Sequence, residues 1–181
     1  MRILITLFLL MPSMLMAQKY FTRSGNISFY SSTPVEDIEA HNNSANSVLD
    51  VSNGAMQFAV IMKSFTFEKA LMQEHFNENY VESDEFPKAT FKGKIVDINA
   101  IDFDEDGNYN VEVKGTMEIH GESQELSTKG TITIKGGKIS AQSSFELKPE
   151  EYGIEIPSVV RGNIAEIVRV DVSFNYEPLK R

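Results

Sequence analysis

The chain has 181 residues, a hydrophobic content of 41% and a formal net charge of −9, and it contains no cysteine. This hydrophobic content is enough for the core of one folded domain, which excludes a disordered chain. The acidic charge argues against nucleic acid and anionic lipid surfaces as partners, and the absence of cysteine excludes disulfides, thiolate catalysis and cysteine metal sites.

The N-terminal residues have the pattern of a secretory signal peptide. Arg2 supplies a positive charge, residues 3–10 form an apolar run, and Ala17 precedes polar sequence. The run is short and Pro12 follows it closely, so we expect no stable insertion into a membrane. The sequence therefore predicts a cleavable signal peptide at residues 1–17, a mature domain at residues 18–181, and a periplasmic or secreted location.

The first part of the mature chain predicts short strands separated by turns. Residues 19–30 fit two extended pieces about a turn at residues 24–26, and residues 35–40 fit either a strand or the start of a helix. Residues 41–46 are predicted to be a polar loop. In residues 56–62, large apolar side chains then recur at every second position, which indicates a strand with one buried face.

Residues 68–79 change to a helical period. Leu71, Met72, His75 and Phe76 recur at intervals of three and four residues, and the segment contains neither glycine nor proline. The sequence therefore predicts one short helix with an apolar face, set between strands.

Beyond this helix, four segments alternate between apolar and polar residues and are joined by turn sequences. Long antiparallel strands with one apolar face either stack as two sheets or curl into a barrel, and glycines within the strands favour the barrel. The predicted fold is therefore a mainly β antiparallel barrel with one or two short helices closing it. The alternating segments are residues 109–119, 126–134, 139–147 and 168–176, with turns at residues 104–108, 121–122 and 136–137.

The predicted inner face mixes bulky side chains with small ones. Gly115, Gly130 and Ala141 lie on this face, and small inward side chains leave space inside a barrel. We therefore expect an interior that holds one small ligand. The helix and residues 149–163 are expected to close its ends.

Four motifs occur in a familiar order along the chain. They are Met-Gln-Glu-His-Phe at residues 72–76, Phe-Pro-Lys-Ala-Thr-Phe at residues 86–91 with Gly93 after it, Val-Lys-Gly-Thr-Met-Glu-Ile-His-Gly at residues 113–121, and Glu-Tyr-Gly-Ile at residues 151–154. Together they resemble the YceI-like family of exported, lipocalin-like lipid-binding proteins. The resemblance implies a lipocalin-like barrel, a long isoprenoid or other amphiphile in an apolar tunnel, a periplasmic or secreted location, and often a homodimer.

The inward positions and the helix face supply the predicted ligand site. Methionine and phenylalanine suit such a site because they accept apolar chains of varied shape. A filled core that binds nothing is the alternative, since periodicity alone does not separate the two. The predicted tunnel residues are Met56, Phe58, Phe65, Met72, His75, Phe76, Phe91, Val113, Met117, Phe145, Val172 and Phe174.

The histidines and acidic residues form no complete metal or catalytic motif. His75 is expected either to donate a hydrogen bond to a ligand headgroup or to bridge the helix and a strand. His120 is predicted to point to the solvent-exposed face of its strand and to have no role. Asp102 and Asp104 begin an EF-hand-like loop, but Val113 stands where the bidentate glutamate is required. We therefore predict no metal, no cofactor and no catalytic residue.

The sequence as a whole predicts a protein that is not an enzyme. Its predicted function is to bind a long-chain amphiphile, such as a polyisoprenoid, a fatty acid or a fatty amide, for transport, storage or sequestration in the cell envelope. The alternatives are a structural or interaction barrel without a ligand and, less favoured, an enzyme that acts on a lipid.

Overall fold

Residues 19–179 are described in a computed structural model, and they form nine β-strands, one α-helix and several shorter helical turns. The predicted signal peptide at residues 1–17 lies outside the described residues. The elements are β1 (Lys19–Ser32), β2 (Asp37–Asp50), β3 (Ala55–Ile61), β4 (Thr66–Phe67), α1 (Ala70–His75), β5 (Lys88–Ile95), β6 (Gly107–Ile119), β7 (Glu122–Lys135), β8 (Lys138–Leu147) and β9 (Val168–Pro178), with 3₁₀ turns at Met62–Ser64, Ile98–Ala100 and Pro149–Tyr152 and a π turn at Phe76–Tyr80.

Eight of these strands form a closed antiparallel barrel. Their order around the barrel is β1, β9, β8, β7, β6, β5, β3 and β2, and β2 pairs with β1 to complete the ring. The two-residue strand β4 pairs with Ala40 and His41 near the start of β2. The predicted mainly β antiparallel barrel with a short helix at one end is therefore confirmed.

The first two strands are longer than predicted. β1 is continuous, and its pairing with β2 shifts between Thr22 and Ile27, so the predicted turn at residues 24–26 is instead a β-bulge. Residues 41–46 were predicted to be a loop and lie within β2. This prediction was wrong because small or polar side chains occupy the inward positions of β2 and hide its alternation. These buried positions are Ala40, Asn42, Ala45 and Ser47.

The helix is shorter than its sequence pattern predicts. α1 ends at His75, and the wider π turn Phe76–Tyr80 follows it directly. Within this turn, the Asn77 Nδ2 donates a hydrogen bond to the carbonyl of Gln73 at 2.8 Å. Residues 70–80, called the helical segment below, therefore form one bent unit at one end of the barrel.

The opposite end of the barrel is filled by its own side chains. Tyr20, Leu49 and Tyr176 are buried there. The Ser47 hydroxyl donates to the carbonyl of Gln57 at 3.0 Å, so the Tyr176 hydroxyl donates to Ser47 Oγ at 2.8 Å. Burial raises the pKa of Tyr176 to about 12, which keeps the phenol neutral near pH 7. This end of the barrel is therefore closed by packed side chains.

Aromatic rings cover three glycines of the barrel wall, one of which, Gly115, was expected to leave space. Gly93 on β5 and Gly115 on β6 lie opposite each other, and the ring of Phe91 packs over both. Gly25 on β1 faces the ring of Phe174 in the same way. These glycines allow rings and neighbouring strands to approach closely. The rings of Phe91 and Phe174 therefore fill the space beside these glycines.

Replacement of Gly115 by alanine should destabilise the barrel by about 3 kcal/mol. The added Cβ would overlap the carbonyl oxygen of Lys92 and the Cα of Gly93, which are backbone atoms that cannot rotate away. Urea unfolding followed by circular dichroism measures the effect. Gly162→Ala is the matched control, because its added Cβ would meet nothing within 4 Å. Equal stability of the two variants would contradict this packing.

Candidate functional site

The end of the barrel under the helical segment contains a cavity of about 280 Å³. Its walls are inward-facing side chains of seven barrel strands, such as Val60, Ala89 and Val168. Its roof consists of the helical segment and of residues 148–167, which are called the cover segment below. The lining is almost entirely hydrocarbon, which suits an apolar ligand.

Four phenylalanines form one wall of the cavity. The ring centroid of Phe76 lies 5.4 Å from that of Phe29, 5.8 Å from that of Phe65 and 5.1 Å from that of Phe67. These are contact distances for aromatic pairs, which add about 0.5–1.5 kcal/mol each beyond area burial. Phe76 therefore anchors the helical segment to the barrel.

The cover segment crosses the same end of the barrel without forming a strand. It begins with the 3₁₀ turn Pro149–Tyr152, which ends at Gly153 with a φ of 67°. Ile154 then buries its side chain, and further along the chain the Ala165 N–H donates to Ser31 Oγ at 2.8 Å. Both ends of the cover segment are thus attached to the barrel rim.

The pairing of β7 with β8 stops part of the way along both strands. The ladder ends at the pair Gly130 and Ser143, although both strands continue beyond it. Further along β7, the Gln124 Nε2 donates to the carbonyl of Glu151 at 2.7 Å. The cover segment therefore packs against the part of β7 that β8 does not pair with.

His120 connects three segments at the rim of the cavity. Its Nε2 lies 2.8 Å from Glu82 Oε2, its Nδ1 lies 3.2 Å from the carbonyl oxygen of Tyr152, and its ring centroid lies 4.4 Å from that of Phe86. The side chain is 13% exposed. The prediction that His120 points to solvent without a role is therefore wrong, because it precedes Gly121 in a turn where strand alternation no longer applies.

The ring of His120 lies between two polar groups, the Glu82 carboxylate and the Tyr152 carbonyl. His120 and Glu82 also have φ values of 53° and 43°, and within residues 19–179 no other non-glycine residue has a positive φ. The contact between them therefore joins two turns of uncommon backbone conformation.

Polar groups enter the cavity lining where the β1–β2 turn meets the cover segment. Glu36 Oε1 accepts a hydrogen bond from Lys69 Nζ at 3.0 Å, and Glu36 Oε2 accepts one from Asn163 Nδ2 at 3.1 Å. The hydrogen bond from Lys69, followed by that from Asn163, lowers the pKa of Glu36 below its usual value. The carboxylate at the rim is therefore ionised at neutral pH.

The twelve predicted tunnel residues are divided between two spaces. Met56, Phe91, Val113 and Phe174 surround a smaller void of about 40 Å³ in the filled part of the barrel. The other eight line the main cavity, with the exposed His75 at its edge: Phe58, Phe65, Met72, His75, Phe76, Met117, Phe145 and Val172. Phe58, Phe145 and Val172 border both spaces, so the two are adjacent.

Several lining residues escaped the sequence analysis. Val168 and Val170 continue the alternation of β9, and Ile154 and Ile156 alternate within the cover segment, so this signal was present in the sequence. The sequence did not indicate that Glu36 lines the cavity, because a glutamate beside a turn is usually exposed to solvent. Only the barrel closure brings it to the cavity.

The acidic loop before β6 is organised by its own hydrogen bonds. Asp102 Oδ1 accepts from the Asp104 N–H at 3.0 Å, and Asp106 Oδ1 accepts from the Gly136 N–H at 2.8 Å. Within residues 19–179, no group of three or more histidine and acidic side chains is placed to hold a metal ion. The helices of the described chain include none that is long and apolar enough to cross a membrane.

A closed antiparallel barrel with an apolar interior cavity defines the class of small-ligand-binding β-barrels. The YceI-like domain matches residues 20–176, so the chain belongs to the YceI-like family. The resemblance seen in the four sequence motifs is thereby confirmed. No curated protein matches the chain.

Solved structures share this fold at low sequence identity. A polyisoprenoid-binding domain from Saccharophagus degradans, implicated in plant cell wall breakdown, is 16% identical with a TM-score of 0.79, and the match covers 90% of this chain and 99% of that one. BcnA from Burkholderia cenocepacia is 16% identical with a TM-score of 0.69, covering 84% and 96%. A YceI protein from Campylobacter jejuni is 13% identical with a TM-score of 0.55, covering 78% and 85%.

Replacement of His120 by asparagine should lower the free energy of unfolding by about 2 kcal/mol. The variant loses the hydrogen bonds to Glu82 and Tyr152 and the contact with Phe86, whereas asparagine tolerates the positive φ. Thermal or urea unfolding measures the change. His41→Asn is the control, because His41 on β2 contacts Ser28 and Glu39 at an exposed surface where water competes for these contacts, so it should change stability by less than about 0.5 kcal/mol. An equal effect of both substitutions would contradict the role assigned to His120.

Proposed function

We propose that this protein binds the hydrocarbon chain of a long amphiphile, such as a polyisoprenoid, a fatty acid or a fatty amide, in the cavity under the helical and cover segments. The observation that carries this proposal is an apolar cavity of about 280 Å³ enclosed by two segments that lie outside the barrel wall. A polyisoprenoid-binding domain with the same fold supports it. The protein acts as a binder and not as an enzyme.

Affinity for such a ligand comes from solvent exclusion. Each methylene group moved from water into the cavity contributes about 0.8 kcal/mol, so a long chain binds tightly with few polar contacts. The aromatic wall around Phe76 and the flexible side chains of Met72 and Met117 adapt to chains of different shape. Chain length and flexibility therefore matter more for binding than a precise pattern of hydrogen bonds.

The cavity volume sets a condition for binding a long chain. About 280 Å³ is close to the lower end of the range for small-molecule sites, which begins near 300 Å³. The roof supplies the additional space when it moves outward, because it consists of the helical and cover segments and not of paired strands. Ligand entry and release therefore proceed by displacement of these segments.

The cellular role that fits this chemistry is transport, storage or sequestration of a lipid in the cell envelope. The signal-peptide pattern of residues 1–17 supports a periplasmic or secreted protein. A barrel that keeps a hydrocarbon chain out of water allows it to cross an aqueous compartment.

The first test of this function is to identify what the protein carries. The mature protein is purified from its own cells, measured by native mass spectrometry and then extracted with organic solvent. We expect one lipid with a long hydrocarbon chain per protein. The proposal would be contradicted if the purified protein contained no lipid and also bound none after incubation with polyprenol, oleate and oleamide.

A bulky side chain inside the cavity should abolish binding while the barrel stays folded. Ala89 on β5 lines the cavity, so Ala89→Phe should reduce the amount of bound lipid at least about tenfold. Ala59 on the adjacent strand β3 is absent from the lining, and Ala59→Phe is the matched control. Extraction after gel filtration measures the bound lipid, and circular dichroism confirms the fold.

A second substitution keeps this test decisive. If Ala89→Phe does not fold, Val168→Phe fills the same cavity from β9. Wild-type lipid content in a folded cavity-filling variant would place the ligand elsewhere and overturn the assignment of this site.

A further inference from the structure

Glu36 carries a negative charge into a lining that is otherwise nearly hydrocarbon. Among the described residues that line the cavity, it is the one carboxylate. Its side chain is 27% exposed, whereas that of its partner Lys69 is 62% exposed. Lys69 does not line the cavity. Glu36 therefore borders the cavity, and the ammonium group of Lys69 lies on its solvent side.

The β1–β2 turn fixes the position of Glu36. The Thr33 Oγ1 accepts a hydrogen bond from the Glu36 N–H at 3.0 Å and donates one to the Glu36 carbonyl at 3.1 Å. The Thr33 N–H also donates to that carbonyl at 3.0 Å. The backbone of Glu36 is thus held on both sides by one residue, and its side chain is held by Lys69 and Asn163. Both the backbone and the side chain of Glu36 are therefore held in place by hydrogen bonds.

The hydrogen-bonding capacity of this carboxylate is only partly used. An ionised carboxylate accepts about four hydrogen bonds and donates none. Each oxygen of Glu36 has one donor here, Lys69 Nζ on Oε1 and Asn163 Nδ2 on Oε2. A ligand group beside Glu36 is therefore stabilised if it donates a hydrogen bond. A second anion at this place would be repelled by the carboxylate.

We propose that Glu36 recognises the polar end of the ligand and selects amphiphiles whose headgroup donates hydrogen bonds, namely alcohols, primary amides and amines, over carboxylates and phosphates. This inference rests on the proposed function, because it assigns the headgroup end of the same cavity. It narrows the ligand class from any long-chain amphiphile to a neutral or cationic one.

The test is a competition between ligands that share one hydrocarbon chain. The mature protein is incubated with equal amounts of oleate, oleamide and oleyl alcohol at pH 7, separated by gel filtration and extracted, and each lipid is quantified. Oleamide and oleyl alcohol should exceed oleate in the bound fraction at least about tenfold.

Replacement of Glu36 by glutamine separates the charge from the shape of the site. Glutamine keeps an acceptor oxygen but removes the negative charge, so oleate should gain about tenfold and the bound fractions should become similar. Glu118→Gln is the matched control, because it removes one negative charge from the exposed face of β6. This control should keep the wild-type preference.

The possible outcomes distinguish the inference from the function on which it rests. If no lipid is bound, or if Ala89→Phe leaves binding unchanged, the proposed function fails. If all three lipids bind at the cavity with equal affinity in wild type and in Glu36→Gln, only the role of Glu36 is overturned. If oleate binds best and Lys69→Met abolishes that preference, the rim selects anions through Lys69, which also overturns the inference.

Discussion

Closure of the strand ring is the constraint on which the rest of the structure depends. Pairing of β1 with both β2 and β9 joins the two ends of the described chain. Backbone N–H and C=O groups are then paired along most of the barrel wall, so the interior has to supply few polar partners for them. The cavity can therefore be lined almost entirely by hydrocarbon. Among the described residues that line it, Glu36 is the one carboxylate.

The same strand pattern produces a solid half and a hollow half of the barrel. In the solid half, the rings of Phe91 and Phe174 pack over glycines of neighbouring strands. In the hollow half, shorter side chains such as Val60 and Ala89 face inward, and the roof comes from segments outside the wall. The space inside the barrel is thus decided by the residues that surround each inward position and not by alternation itself.

The strands of the second half of the barrel were predictable from the sequence, whereas β2 and the polar contacts were not. The antiparallel barrel was predictable because apolar residues recur at most of the alternate positions of β6 to β9. β2 was misread because its buried positions hold residues such as Ala40 and Asn42, which carry no hydrophobic signal. Glu36 and His120 could not be assigned from sequence, since their surroundings are created by contacts between distant segments.

The bulge in β1 has a consequence for how the chain folds. β1 is the first described strand and one of its two neighbours, β9, is the last, so the ring closes only after nearly the whole chain is present. Such non-local pairing makes folding slow, and an unpaired edge can meanwhile pair with other chains. The pairing of β1 with β9 is interrupted between Phe21 and Asn26, so this edge of β1 is irregular. An irregular edge is a poorer template for other chains, which favours closure of the barrel over aggregation.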